Sequence, residues 1–236
     1  MSVTTHPTVA PLTGISSMAT RQLLAELTQA YAKSSGQSVL IESVGGVDAA
    51  KRVQAGEVFD LVVLASDAMS KLIASGHLSA DSLTPLVFSG VAVAVPVGSA
   101  GLDISSEEAV REAVLAAPTL AYSTGPSGVA LAQLFERWGI TEQIKNRLVT
   151  APPGVPVGSL VAKGEVAMGF QQLSELIHVP GILVLGPLPD VIQITTTFSA
   201  AMTSLCTRPT EVQALLSFMA SSEVAVLKKR QGMTPA

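Results

Sequence analysis

A proline, a hydroxyl and two glycines, in the order Gly125-Pro126-Ser127-Gly128, stand immediately before the helix-period run VALAQLFERWG. The start of a helix carries partial positive charge and unpaired N–H groups, so this turn can hold an anion through Ser127 and the Gly128 amide. Other short motifs repeat the theme. Ser16-Ser17 open the run MATRQLLAELTQAYAKSSG, where either serine is expected to cap the helix and also offers a hydroxyl to a ligand. The glycine pair Gly45-Gly46, followed by Val47, opens a second helical run with bare backbone, and Ser66-Asp67 opens a third as its cap or as the rim of a cleft. Gln171-Gln172 closes a short strand, and at least one of these amides is expected to face a carboxylate or hydroxyl. The chemistry implied is recognition of a small anion by N–H, O–H and amide groups.

Proton transfer has only weak candidates beside the glycine pair: Asp48, Lys51, and Glu42 on the preceding strand. No Ser-His-Asp order and no dinucleotide fingerprint is present, and the GPSG turn lacks the lysine and spacing of a phosphate loop. His6, His77 and His178 lie at no metal-ligand spacing, so surface or loop roles are expected and neither a metal nor a cofactor is called for. Cys206 is the one cysteine, which excludes an internal disulfide and fits a small core residue. Arg208 is expected to be solvated, with a carboxylate as its alternative partner.

The 236 residues are 48% hydrophobic, 14% charged and only 4% aromatic, so small aliphatic side chains must fill the interior. That composition suits helices lying close on a parallel sheet. The formal net charge is −4 with no basic stripe, which argues against nucleic acid as a partner. Lys228-Lys229-Arg230 reads as the basic last turn of a helix. No apolar run reaches the length of a membrane span, since Pro96 and flanking glycines interrupt VFSGVAVAVPVG. The first residues show no basic segment followed by an apolar one, which predicts a cytoplasmic protein, or a periplasmic one from which a leader has been removed.

Strand and helix signals alternate along the chain. TVAPLTG is an apolar run closed by Gly14, and the helix after it closes at Gly36. SVLIESV, GGVDAAKRVQAGE, FDLVVLA and SDAMSKLIASGH then read as strand, helix, strand and helix. Such units predict a parallel sheet with helices on both faces. Two long β runs, LTPLVFSGVAVAVPVG and VIQITTTFSAAMTSLCT, bracket a second α/β set, and two helices follow. The expected architecture is therefore α/β with two lobes, each a mixed sheet flanked by helices. Residues 1–88 with 198–236 form one lobe and 89–197 the other, with hinge crossings near 86–92 and 190–199. A ligand cleft is expected between the lobes.

The ordered set GISSMATRQLLAELTQAYAKSSG, RVQAGEVFDLVVLASDAMSKLIASG, GPSGVALAQLFERWG, AKGEVAMGFQQLSEL and KKRQGMTPA resembles the periplasmic solute-binding proteins of type II fold, specifically the molybdate-type group. The resemblance implies that strand-to-helix turns hold an oxyanion without a cationic residue. It assigns ligand contact to Ser17, to the Ser127-Gly128 turn, and to a backbone donor at Gly154 or Val155. Val47 stands where that group presents a second serine, and Gln172 where it commonly has a tyrosine. Loss of such a hydroxyl costs a buried anion about 1–3 kcal/mol, which turns the expectation from a tetrahedral oxyanion toward a carboxylate. The chain is also similar to the aconitate-isomerase-like branch on this scaffold, which implies isomerisation of a small unsaturated polycarboxylate. The alternative is a non-catalytic binding protein that delivers molybdate or an organic anion to an ABC permease.

Overall fold

The computed structural model describes residues 10–152 and 154–236. His6, and the Thr8-Val9 part of the first apolar run, lie outside the described residues. The first half of the chain alternates strands and helices in the order β1 Leu12–Ser17, α1 Arg21–Ser35, β2 Val39–Val44, α2 Gly46–Gln54, β3 Leu61–Ala65 and α3 Ser66–Ala74. The long strand β4 Thr84–Pro96 leads into α4 Glu107–Ala116, β5 Leu120–Ser123, α5 Pro126–Arg137, α6 Thr141–Ile144 and β6 Leu148–Ala151. Then follow α7 Val157–Ala162, β7 Met168–Gln172, α8 Leu173–Leu176, β8 Ile182–Pro187 and the return strand β9 Thr195–Met202. The chain closes with α9 Pro209–Ala220, α10 Ala225–Arg230 and β10 Met233–Pro235.

The main strand order is β2-β1-β3-β9-β4-β7-β5-β6, with β8 and β10 also paired to β4. Strands β1, β2 and β3 run parallel, as do β5, β6 and β7. Between the two parallel sets lie antiparallel β9 and β4. Strand β4 pairs β9 from Thr84 to Gly90, and then pairs β7 and β8 from Val91 to Pro96. One strand thus carries the chain from one half of the sheet to the other.

The cores divide at the same point. Residues Leu12, Leu23, Leu24, Leu27, Val63 and Phe198 pack with Leu215 and Leu216 of α9 on one face of the first half. On the opposite face, Ile15, Val62 and Leu64 pack with α2 and α3. In the second half Val91, Val93, Leu120 and Phe170 pack under α4 and α5. Burying each such Leu, Val or Phe contributes about 1.5–3 kcal/mol. The layer holding α7 is tight because Gly169 has no side chain: a Cβ there would lie 2.6 Å from Val161 and 2.7 Å from Val157.

Several local expectations need correction. The first strand does not close at Gly14 but runs to Ser17, because parallel pairing with β2 continues to the Ser17–Val44 register. A three-residue 3-10 turn, Met18–Thr20, then precedes α1, whose N-cap is Thr20. Neither Ser16 nor Ser17 gives a capping hydrogen bond. Ser66 is not a cap either; it is the first residue of α3, and its hydroxyl pairs with Ser199. The short elements β6, β8, β10 and α6 leave no clear signal in the chain, since three to six residues carry too little periodicity to stand out. The basic last turn of α10 is present, although Lys228 in it is buried.

Candidate functional site

Two sets of three parallel strands end in turns that carry the sequence-selected residues. In open α/β sheets ligands bind beyond the carboxyl ends of the strands, where topology switches. Ser16 and Ser17 end β1, Gly45-Gly46-Val47 follows β2, and Ser66 follows β3. Ser127-Gly128 follows β5, Gly154-Val155 follows β6, and Gln171-Gln172 ends β7. One hydrogen bond joins the two sets of ends: the Ser174 hydroxyl, just after β7, donates to the Ala19 carbonyl, just after β1, at 2.9 Å.

Around β1 the contacts are close. A Cβ on Gly46 would meet the Ser17 Cβ at 3.5 Å, so the β2–α2 turn lies against Ser17. Ser16 shares a 2.8 Å hydrogen bond with Ser43, and Ser66 shares one of the same length with Ser199. Ser17 is 7% exposed and its hydroxyl has no partner among the described residues. A buried, unpaired hydroxyl is uncommon, and Ser89 and Ser221 share this state among the described residues. Val47 is 52% exposed, so this position offers its backbone rather than a packed side chain.

Across the site the two glutamines differ. Gln171 is fully engaged: its Oε1 accepts the Gly158 N–H at 3.1 Å and its Nε2 donates to Glu175 Oε2 at 2.8 Å. Gln172 Nε2 donates to Thr196 Oγ1 at 2.9 Å, while its Oε1 is buried without a partner. An amide's O and N exchange by a half-turn of the group, so the same side chain can accept from Thr196 and turn its NH2 outward. Gln172 therefore has one free polar atom to give a ligand, and Gln171 has none.

The α5 start rests hard on β5. A Cβ on Gly128 would fall 1.7 Å from the Ser123 carbonyl oxygen, so only glycine lets the helix approach this closely. The Gly128 N–H is consumed inside the turn by the Gly125 carbonyl at 2.9 Å, and the Val155 N–H is likewise bonded to the Pro152 carbonyl at 3.0 Å. These two amides, offered by the sequence reading as anion donors, already have acceptors. Ser127, 8% exposed, keeps a hydroxyl with no hydrogen bond to a described residue.

The three weak proton-transfer candidates diverge. Glu42 is exposed and gripped by Arg52, with Nη1 to Oε1 at 2.7 Å and Nη2 to Oε2 at 2.9 Å, and Arg52 also holds Glu57. The guanidinium keeps the Glu42 carboxyl below its ordinary range, which makes it a poor proton acceptor. Asp48 and Lys51 are exposed on α2. Arg208 is not free: it binds the Ala10 carbonyl at 2.7 Å and Gln37 at 2.8 Å, and pairs with the carboxylate of Glu211, in α9, at 3.3 Å. His77 pairs with Ser75, and His178 with Gln231. Cys206 is half-buried against the core of the first half. No metal-ligating cluster of three or more groups occurs among the described residues, and no helix is long and apolar enough to cross a membrane.

Sequence reasoning missed Ser43, Thr196, Ser199, Arg21 and Glu175. Arg21, in the first turn of α1, lines a surface groove with Leu24, Ile41 and Ser43, and is the cation among those lining residues. Thr196 could be suspected from the TTT run on the return strand, and Glu175 from its place four residues after Gln171. The burial of Glu175 pushes its carboxyl up to about 7, against the opposing pull of the Gln171 amide.

A known relative and solved structures match the whole of this architecture. Aconitate isomerase from a Pseudomonas species is 37% identical over 235 residues, covering 96% of this chain and 88% of that protein. The periplasmic molybdate-binding protein of Azotobacter vinelandii superposes with a TM-score of 0.79 at 19% identity, covering 94% of this chain and 98% of that one. The tungstate ABC transporter protein from Geobacter sulfurreducens gives 0.73 at 14% identity, covering 93% and 98%. These structures share the type II solute-binding fold, two α/β lobes with mixed sheets. The family model described as bacterial extracellular solute-binding protein matches residues 12–234, and the chain belongs to that family.

Proposed function

We propose that this protein isomerises a small unsaturated polycarboxylate, with aconitate as the leading substrate. The observation that carries the reading is the 37% identity to aconitate isomerase over 96% of the chain. The site's chemistry supports it. Among the described residues Ser17 Oγ and Gln172 Oε1 are buried polar atoms without partners, and Ser127 adds a second unengaged hydroxyl. A polycarboxylate presents several oxygens to such scattered groups, whereas a tetrahedral oxyanion needs donors converging on one point. Arg21, at the start of α1, adds a cation in the surface groove that Ser43 also lines. We divide the chain into lobes at 1–88 with 198–236 and 89–197, with the ligand in the cleft between them; the division of the cores and the passage of β4 between both halves support this.

Allylic isomerisation moves one proton from a methylene to the far carbon of the double bond. Hydrogen-bond donors on the carboxylates stabilise the charge that develops between those events. The family's description as extracellular supports action outside the cytoplasm over a cytoplasmic role. A second reading, delivery of an anion to an ABC permease without chemistry, is favoured by the likeness to molybdate- and tungstate-transport proteins.

One experiment separates the two. Purified protein is incubated with cis- and trans-aconitate, conversion is followed by ultraviolet absorbance and proton NMR, and thermal shifts are recorded with molybdate, sulfate and citrate. Interconversion of the aconitates with no molybdate shift is expected. A large molybdate shift with neither aconitate converted overturns the isomerase reading.

A further inference from the structure

Glu175 is the carboxyl that the reaction outlined above leaves unused. It lies on α8, directly after β7. Gly158 of α7 lies against Leu176, and Gly232, just after the basic turn Lys228–Arg230 of α10, lies against Leu173. The main elements packed on α8 are β4, β7, β8 and the Met18–Thr20 turn. None of these four segments contains an acidic or basic residue. His178, three residues further on, is occupied by Gln231 at 2.7 Å. Glu175 therefore stands as a lone carboxyl in an uncharged wall, with part of its surface still open.

Its position is fixed by groups that belong to the candidate site. Gln171, 3% exposed, donates to Glu175 Oε2 at 2.8 Å and with its other atom accepts from Gly158, at the start of α7. The preceding residue, Ser174, donates to the Ala19 carbonyl, two residues beyond Ser17. Helix α8 thus lies against the turn after β1 through Ser174, and the Glu175 carboxyl is linked through Gln171 to the start of α7, after the Gly154-Val155 loop. Only one of its oxygens is tied; the other accepts no hydrogen bond from a described residue.

We propose that Glu175 is the group that carries the proton in the isomerisation, with Gln171 as the residue that positions it. This assignment rests on the isomerase reading above. The ionised carboxyl takes a proton from the substrate methylene: the C–H bond breaks, an O–H bond forms, and the electron pair becomes the new C=C bond. The former double bond releases its electrons to the far carbon, and Glu175, whose acid proton exchanges with water through its open surface, returns a proton there, so no co-reactant is needed. A carboxyl poised near neutrality serves both halves, since neither its acid nor its base form is scarce.

The test uses the full chain with trans-aconitate. E175Q keeps the shape and the contact with Gln171 but cannot take a proton. Its kcat is expected to fall at least about 100-fold, the lower range for a general acid–base group, while the dissociation constant for trans-aconitate by calorimetry changes less than about threefold. Wild-type kcat/KM should fall about tenfold per pH unit below about 7, and deuterium from D2O should enter the substrate; both signatures should vanish in E175Q. E175Q with kcat near wild type, or with the same acidic limb, overturns the assignment. Should E175Q fail to fold, E175D decides: a lower kcat on an unchanged dissociation constant supports the role, and a wild-type rate across pH overturns it. A wild-type protein that converts neither aconitate overturns the isomerase reading and this assignment with it. An active wild type with an equally active E175Q overturns the assignment alone.

Discussion

Removing the Ser17 hydroxyl separates a ligand-facing group from a structural one. Ser17 is 7% exposed and its Oγ has no hydrogen-bond partner among the described residues. In the empty protein, S17A therefore breaks no hydrogen bond and relieves a buried polar atom. Its stability should be unchanged or higher by up to about 1 kcal/mol, which raises Tm by about 2–4 °C for a domain of this size. With a carboxylate bound, the same hydroxyl makes a hydrogen bond to a charged group, worth about 1.5–3 kcal/mol. S17A should accordingly weaken trans-aconitate binding by about 10- to 150-fold. The neighbouring S16A makes the contrast, because Ser16 is paired with Ser43 at 2.8 Å; it should cost the empty protein about 1 kcal/mol. Scanning fluorimetry of the empty proteins and calorimetric titration measure both quantities. A Tm for S17A more than about 3 °C below wild type, or a dissociation constant within twofold of it, refutes the reasoning.

Two further outcomes test the packing and the electrostatics. G128A inserts a Cβ 1.7 Å from the Ser123 carbonyl and 2.9 Å from Tyr122, so α5 must move off β5. A loss of about 2–3 kcal/mol, or about 5–10 °C in Tm, is expected, and an unchanged melting curve would contradict the close approach. For Glu175 the folded carboxyl is raised from 4.5 to about 7. Between those values the folded chain retains a proton that the unfolded chain has released, so stability falls as pH rises through this window. E175Q removes the slope: its Tm should match wild type near pH 4 and exceed it above pH 7, and parallel Tm–pH curves would show that Glu175 is not the cause.

The alternating segments and the two long β runs were legible in the chain because they are long or strongly patterned. Leu23, Leu24 and Leu27 recur at helical spacing, and VAVAVP can only be a buried strand. The serines of the first turn were legible as polar groups but not as strand residues, since the pairing of Ser17 with Val44 depends on β2, 27 residues away in sequence. The same distance hides the Ser16–Ser43 bond, and it is larger still for Ser66–Ser199.

What the sequence determined by itself is the set of strand-to-helix turns and their small and polar residues. Periodicity and turn chemistry are local properties, and local properties survive in one dimension. Only the tertiary structure decided which polar atoms remain available. The Gly128 and Val155 amides were spent within their own turns, Gln171 was spent on Gly158 and Glu175, and Ser17 and Gln172 each kept one buried atom without a partner. Hydrogen-bond satisfaction is a property of neighbours in space, and burial sets the cost of leaving an atom unpaired. The same burial, in a wall of uncharged strands, turned Glu175 from one carboxylate among many into a carboxyl poised near neutral pH.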